Sequence, residues 1–215
     1  MRIHTIGSAA GLLAVLALSG CILPDDYEAT LALAENSAKI EYEGDLVVAP
    51  IQGEFMSGRP AAPGEYQKAV EEAVTTVTGE AGLNMTSYEY VDGGRAHVTF
   101  EAEAFDAIMR SGRTGYTPLP GIEIYSKSAE GGRIYEVRFA GADQKAVSEL
   151  ASIGVDVSGK VCIETELELA ARSPGDWVTE ETGGWFSSDN SYCVDTTLTE
   201  RDEKRISFFQ TGGNS

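Results

Sequence analysis

The stretch YEATLALAENSAKIEYEGDLVV, from Tyr27 to Val48, decides the fold. On both sides of a turn cluster at 35–37, apolar residues alternate with polar or charged ones. A period of two is typical of strands that have one buried and one solvated face. The stretch therefore predicts a β-hairpin whose buried face includes Leu31 and Tyr42.

Further along the chain, the spacing of apolar residues changes. Glycines and prolines at 53–64 predict a loop. From Glu65 onward, apolar residues recur every three or four positions, which predicts an amphipathic helix that ends near Gly79. A second hairpin is predicted over 87–103, with its turn at 92–94.

A similar order of elements comes after a joint at 104–120. Two strands, a helix and two further strand regions are predicted, at 122–125, 134–139, 143–153, 161–169 and 191–210. Asp143 is the expected N-cap of this helix, and Gly154 is expected to end it.

These patterns predict an α+β protein. Its sheet is expected to be antiparallel and rich in hairpins, with two amphipathic helices packed on one side. The order strand-strand-helix-strand-strand occurs twice, in possible halves 27–103 and 121–210. The halves share no convincing residue-level identity, so duplication and chance similarity of element order both stay open.

The N-terminus carries an export signal that ends in Leu18-Ser19-Gly20-Cys21. Arg2 supplies a positive end, and the apolar run 9–18 is too short to span a bilayer comfortably. The closing motif resembles the lipobox of bacterial lipoproteins, in which the cysteine thiol is diacylated and the signal is removed before it. The resemblance implies a cleaved signal at 1–20 and a lipidated N-terminus at Cys21. Pro24 and the acids beside it predict that 21–26 form a short tether, which leaves 27–215 as the periplasmic α+β domain.

An ordinary cleaved signal, with Cys21 as a structural thiol, is the alternative. An exported chain with three cysteines would then have an odd thiol, and lipidation removes Cys21 from that count. Acyl chains on Cys21 would hold the protein stably on a membrane that it does not span. Ile22 and Leu23 differ from the aspartate that resembles an inner-membrane retention signal, which favours the outer membrane. The order of a lipobox followed by a hairpin-rich domain also resembles small envelope lipoproteins, and no diagnostic motif assigns the chain to a subfamily.

Cys162 and Cys193 remain as a natural pair. In the predicted strands they lie on polar faces, beside Glu164 and Asp195 respectively. We predict a structural disulfide, which is worth roughly 3–4 kcal/mol for a loop of about thirty residues in the chain-entropy model. A redox pair is the alternative, but the spacing is not C-x-x-C and no cationic neighbour would lower a thiol pKa.

The loop that this disulfide would close is rich in aromatic residues. We consider four of them candidate anchors for a protein partner, because buried tryptophan and tyrosine side chains dominate interface energetics: Trp177, Trp185, Phe186 and Tyr192. The alternative is that these rings fold back and cover the sheet. Loss of a core tryptophan would then lower stability, whereas loss of an anchor would not.

The charge excludes some classes of partner. The formal net charge is −18, and 42% of the residues are hydrophobic, which is ample for a core. Nucleic acid and anionic headgroups are disfavoured because binding to phosphate depends on clusters of lysine and arginine. An acidic surface can instead bind cations or simply keep the protein soluble.

Sequence motifs for catalysis are scarce, and we assign no catalytic residue, metal or cofactor. His97 is the one histidine after the signal, and no nucleophile motif or EF-hand loop is present. The sequence thus favours a non-enzymatic envelope module that binds a protein partner or a small apolar ligand. The alternative is a hydrolase whose site is built from carboxylates such as Glu101 and Glu103.

Overall fold

The computed structural model describes residues 22–34, 37–103, 116–119, 122–139, 144–170, 177–180, 191–197 and 204–211. The strands are β1 (Ile22–Ala34), β2 (Ser37–Val48), β3 (Asn84–Asp92), β4 (Arg95–Glu103), β5 (Tyr116–Leu119), β6 (Ile122–Ala129), β7 (Gly132–Phe139), β8 (Ser158–Thr165), β9 (Glu168–Leu169), β10 (Val178–Glu180), β11 (Ser191–Thr197) and β12 (Lys204–Thr211). The helices are α1 (Ala49–Met56), α2 (Glu65–Glu80) and α3 (Gln144–Ser152).

The strands form two sheets. The main sheet has seven strands in the order β10-β11-β8-β1-β2-β4-β3, and the second sheet has five in the order β5-β6-β7-β12-β9. The predicted first hairpin is confirmed, since β1 and β2 are antiparallel with Leu31 opposite Ile40. The protein is thus a mixed α+β structure made mostly of strands. One pairing in the main sheet, between β1 and β8, is parallel.

The two predicted halves do not form separate sheets. Strands β8 and β11 come from the range 121–210, yet they join β1 and β2 in the main sheet. Strand β12 pairs instead with β7 in the second sheet. The chain therefore returns to its first hairpin after building most of the second sheet, which element order alone does not reveal.

A row of aromatic rings crosses the inner face of the main sheet, which is the face that carries Tyr42. The rings of Tyr27 and Tyr42 are stacked with their centroids 5.6 Å apart, and Tyr42 stacks on Phe100 at 4.6 Å. Burial raises the pKa of both phenols, since it disfavours the charged form. The same core includes Val74 of α2 and Phe208 of β12, so it is shared by α2 and both sheets.

Two glycines make room for Tyr27. Tyr27 lies opposite Gly44 of β2 on one side and opposite Gly159 of β8 on the other. A Cβ atom at Gly44 would lie 2.5 Å from the Cβ of Tyr27, and one at Gly159 would overlap the tyrosine ring. The phenol crosses β8 at this gap and forms a hydrogen bond with Thr196 of β11 at 2.9 Å.

The two predicted amphipathic helices do form, but they lie on opposite faces of the main sheet. Val70 and Val74 of α2 pack in the core of the inner face. Leu150 of α3 packs in a separate cluster with Val47, whose neighbour Val48 belongs to the inner core. Adjacent residues in a strand point to opposite faces, so the prediction of two helices on one side is wrong. The predicted N-cap, Asp143, lies outside the described residues.

The predicted loop at 53–64 is partly helical. Helix α1 begins at Ala49, and Pro50 is compatible with its first turn, where the backbone N–H has no partner in the helix. Gly53 inside the helix lowers the sequence signal for it. A tertiary contact stabilises it. The side-chain oxygen of Gln52, which is 4% exposed, accepts a hydrogen bond of 2.9 Å from the backbone N–H of Gly94 in the β3–β4 turn.

The first strand begins earlier than expected. Ile22 pairs with Val48, Leu23 with Val47, and the side chain of Asp25 is buried. Residues 22–26 are therefore part of the main sheet and do not form the predicted tether. The prediction failed because Pro24 and the acid pair Asp25-Asp26 are typical of a solvated spacer, whereas Asp26 here marks a bulge with a φ of 46°.

We expect Gly159→Ala to lower the free energy of unfolding by about 1–3 kcal/mol, because the new methyl group would overlap the Tyr27 ring. Urea unfolding followed by tryptophan fluorescence measures the change. Gly79→Ala is the matched control: Gly79 lies in α2 with nothing within 4 Å of its would-be Cβ, so the variant should be as stable as the wild type or slightly more so. Equal stability of Gly159→Ala and the wild type would contradict the passage of Tyr27 over β8.

Candidate functional site

The predicted disulfide is present and joins two neighbouring strands of the main sheet. Cys162 of β8 and Cys193 of β11 are directly opposite in register, with their Cα atoms 4.1 Å apart. Cys162 lies on the outer face with Glu164, as predicted, because Val161 and Ile163 are buried on the inner face. The bond covers a sequence separation of 31 residues. It therefore fastens the ends of the aromatic loop to the sheet.

Two of the four candidate partner anchors are core residues. Trp177 is 3% exposed and Tyr192 is 7% exposed, and both belong to the inner core. The register explains their burial, because Val178 pairs with Cys193 and both side chains lie on the outer face. Adjacent residues in a strand point to opposite faces, so Trp177 and Tyr192, which come directly before them, point inward. Tyr192 packs its ring against Phe208 of the second sheet at 5.6 Å. Trp177 and Tyr192 are therefore not exposed anchors; they match the alternative, in which these rings fold back and cover the sheet.

The remaining predicted site residues lie outside the described part of the chain. These are Trp185 and Phe186 of the aromatic loop and Cys21 of the lipobox. The residue directly after the lipobox cysteine, Ile22, is already paired in the main sheet.

A chain of acidic and basic side chains runs along the outer face at the end of the sheet where β1 begins. Arg95 Nη1 lies 2.9 Å from Asp25 Oδ2 and 3.9 Å from Asp45 Oδ2. Asp45 Oδ1 lies 3.0 Å from Nδ1 of His97, whose Nε2 is 3.8 Å from Glu43 Oε1. The chain thus alternates acidic and basic groups across β1, β2 and β4.

Asp25 and Arg95 also tie the sheet to the segment after α3. The second oxygen of Asp25 accepts a hydrogen bond of 3.3 Å from the N–H of Ser158, and Arg95 donates to the carbonyl of Gly154. Asp25 is 5% exposed, and a buried carboxylate without its cation would be strongly destabilising. Sequence reasoning missed this pair because the two residues are 70 positions apart. The signal available was a lone arginine directly after the Gly93-Gly94 turn.

Beyond this chain of charges, the outer face holds an open groove of about 690 Å³. Its lining residues come from β1, β2, β4, β8 and β11 and are Asp26, Tyr27, Glu28, Glu43, His97, Ser158, Gly159, Lys160, Asp195, Thr196 and Thr197. Four of these lining residues are acidic, and Lys160 is the one lysine or arginine among them. The groove is therefore suited to basic or hydrogen-bond-donating groups.

The hydroxyl of Thr196 is not available as a nucleophile in this groove. It donates to the carbonyl of Gly159 at 3.1 Å and also bonds the phenol of Tyr27. Glu101, one of the two carboxylates considered for a hydrolase site, lies 2.9 Å from the amine of Lys39. Glu103 is exposed at the end of β4. Both carboxylates therefore lie at the solvated outer face of the sheet.

A second open depression, of about 710 Å³, lies on the hairpin of β6 and β7. The guanidinium of Arg138 sits over the ring of Tyr125, 4.6 Å from its centroid, and also contacts Glu136. A hydrogen bond to Glu123 is the larger cause of the raised pKa of Tyr125, and burial adds to it. The depression is thus lined by groups that already contact one another.

Neither a group of metal-ligating side chains nor a membrane-spanning helix is found among the described residues. In that part of the chain, no three histidine, cysteine, aspartate or glutamate side chains are placed to hold a metal ion. None of the described helices has the length and apolar character needed to cross a membrane.

Comparison with known proteins gives a structural likeness without a sequence match. No family model matches the sequence, and no curated protein matches it. Among solved structures, the chain is similar to the folded domain of the Mycobacterium tuberculosis protein LppM, determined by NMR. The sequences are 10% identical, the match covers 89% of this chain and 93% of that one, and the TM-score is 0.40. At these values the likeness fixes neither a family nor a function.

Removal of the disulfide should lower the free energy of unfolding by roughly 3–4 kcal/mol, because the unfolded chain gains the freedom of a loop of about thirty residues. The double variant Cys162→Ser, Cys193→Ser measures this in urea unfolding. As a control, reductant should lower the stability of the wild type to that of the double variant and leave the double variant unchanged. A wild type that reductant does not affect, and whose intact mass does not rise by the mass of two hydrogen atoms on reduction, would contradict the bridge.

Proposed function

We propose that this chain is a bacterial lipoprotein, held in the cell envelope by acyl chains on Cys21 and facing the periplasm. The observation that carries the proposal is the pairing of Cys162 with Cys193. It leaves Cys21 as the one cysteine of three without a disulfide partner, at the position where the lipobox needs a free thiol. A structural disulfide also fits an oxidising compartment such as the periplasm.

The position of β1 supports the same proposal. Cleavage before Cys21 would remove 1–20 and leave every described strand intact, because β1 begins at Ile22. The residues directly after the cysteine, Ile22 and Leu23, are not the aspartate that resembles an inner-membrane retention signal. We therefore assign the protein to the outer membrane.

We further propose that the domain is a non-enzymatic binding module and that its partner is a protein. The groove and the β6–β7 depression are open, and most of their lining residues carry polar or charged side chains, which suits a protein surface better than a small apolar ligand. The acidic groove around His97 and Glu43 is the face that we assign to this partner. Its excess of carboxylates favours a partner with a basic surface.

A hydrolase is the second candidate. The pairing of His97 with Asp45 at 3.0 Å is an arrangement that can orient a general base. A general base needs a nucleophile within reach, whereas both ring nitrogens of His97 lie beside carboxylates, Nδ1 beside Asp45 at 3.0 Å and Nε2 beside Glu43 at 3.8 Å. We therefore prefer the binding module.

Cys21→Ser is expected to release the protein from bacterial membranes into the soluble periplasmic fraction, because the acyl chains provide the anchor. Membrane fractionation and intact mass spectrometry measure the release and the loss of the acyl mass. The double variant Cys162→Ser, Cys193→Ser is the matched control, since it also replaces cysteines but should stay acylated and membrane-bound. A Cys21→Ser protein that has lost its signal yet stays on membranes would contradict the anchor.

The released protein also tests the binding proposal. Native mass spectrometry of Cys21→Ser isolated gently from the periplasm should give no lipid-sized adduct. A stoichiometric adduct of that size would contradict a protein partner and favour a small apolar ligand.

A further inference from the structure

Three exposed apolar side chains gather at one end of the main sheet. Phe55 is 41% exposed, Met56 54% and Val91 49%, and we call these three residues the anchor-end patch. In the described part of the chain, the one other exposed large apolar residue is Val178, on β10 at the edge of the sheet. The patch is therefore a local concentration and not a general property of the surface.

The patch lies at the end of the sheet where β1 begins. Val48 is opposite Ile22 and directly precedes α1, which carries Phe55 and Met56. The backbone N–H of Val48 also donates to the carbonyl of Gly94, in the β3–β4 turn, at 2.8 Å. Val91 stands next to this turn, at the residue where the register between β3 and β4 shifts.

The patch is held by fixed contacts. The ring of Phe55 meets the ring of Tyr66 of α2 edge-on, with centroids 5.9 Å apart. Gly93 lies so close to Phe55 that a Cβ there would overlap the ring. Gln52 joins α1 to the same turn through its buried amide. Phe55 thus remains partly exposed on a well-supported helix.

The distance from the patch to the lipidation site is short. The Cα atoms of Cys21 and Ile22 are separated by one peptide bond, or about 3.8 Å. Ile22 and Val48 are an antiparallel pair, and Phe55 lies seven residues after Val48, which is a rise of about 10 Å along a helix. Acyl chains on Cys21 would therefore be joined to β1 without an intervening linker, and they would hold this end of the sheet at the membrane surface.

Charge does not draw the patch toward anionic lipid. Glu54, beside Phe55, pairs with Arg59, and Asp92 comes directly after Val91. A surface that lacks excess positive charge gains little from anionic headgroups, so apolar contact with lipid must supply the attraction.

We propose that Phe55, Met56 and Val91 form a second membrane contact, in which they enter the interface between headgroups and acyl chains of a zwitterionic bilayer beside Cys21. This inference rests on the proposed lipid anchor. Two contacts, one covalent and one apolar, fix the orientation of the domain, so that the patch end faces the bilayer.

Oxidation of methionine by the water-soluble anionic oxidant chloramine-T tests the contact. Met56 is a native reporter, and Val91→Met adds a second one in the patch. Val178→Met is the matched control at a similarly exposed valine on the edge strand. In the acylated protein on phosphatidylcholine vesicles, oxidation at positions 56 and 91 should be slower by at least about threefold than in the soluble Cys21→Ser protein, because lipid excludes the oxidant. Oxidation at position 178 should be unchanged.

Each other outcome has a definite meaning. Acylated protein whose Met56 is oxidised equally fast on vesicles and in solution overturns the second contact alone. A mature protein that lacks the acyl mass overturns the proposed anchor and the inference with it. Protection of Met56 that appears without vesicles and grows with protein concentration overturns the inference in favour of a second copy of this chain.

Discussion

The ring of Tyr27 occupies a gap left by two glycines, and the main sheet depends on that packing. Gly44 and Gly159 flank Tyr27 on the neighbouring strands, and the phenol reaches across β8 to Thr196. This contact brings a strand from the N-terminus and two strands from the C-terminal half into one sheet. It also starts the row of stacked rings around which α2 and the second sheet pack.

The outer face of the same strands is organised by charge. A buried carboxylate at Asp25 requires Arg95, and Arg95 in turn contacts the segment after α3. Residues directly after the predicted lipobox are thus fixed on both faces, by apolar packing of Ile22 inside and by the ion pair outside. A lipid on Cys21 would consequently be attached directly to the folded domain. The fold would then set the orientation of the domain relative to the membrane.

Sequence patterns predict the features that depend on neighbouring residues. The alternation in β1, β2 and β4 and the period of α2 are local, and the structure confirms them. The disulfide is predictable because cysteine count and strand parity both point to Cys162 and Cys193.

The features that depend on distant residues are not predictable in this way. Helix α1 relies on Gln52 meeting Gly94, and the start of β1 relies on Asp25 meeting Arg95. Helix α3 packs on the outer face, where Leu150 joins a cluster with Val47 of β2, and these residues are far apart in sequence. Sequence alone leaves open whether Trp177 and Tyr192 are exposed anchors or cover the sheet, because the register of β10 on β11 that turns them inward is a tertiary property.

The central claim is that the folded domain begins directly after Cys21, with no flexible tether. Amide hydrogen exchange of the mature protein in detergent micelles tests this claim most directly. The structure predicts slow exchange for those amides of Ile22, Leu23 and Asp25 that face β2, comparable to that of the amides of residues 45–48 that face β1; Pro24 has no amide hydrogen. Fast exchange over 22–26, with protection beginning only at Tyr27, would contradict it.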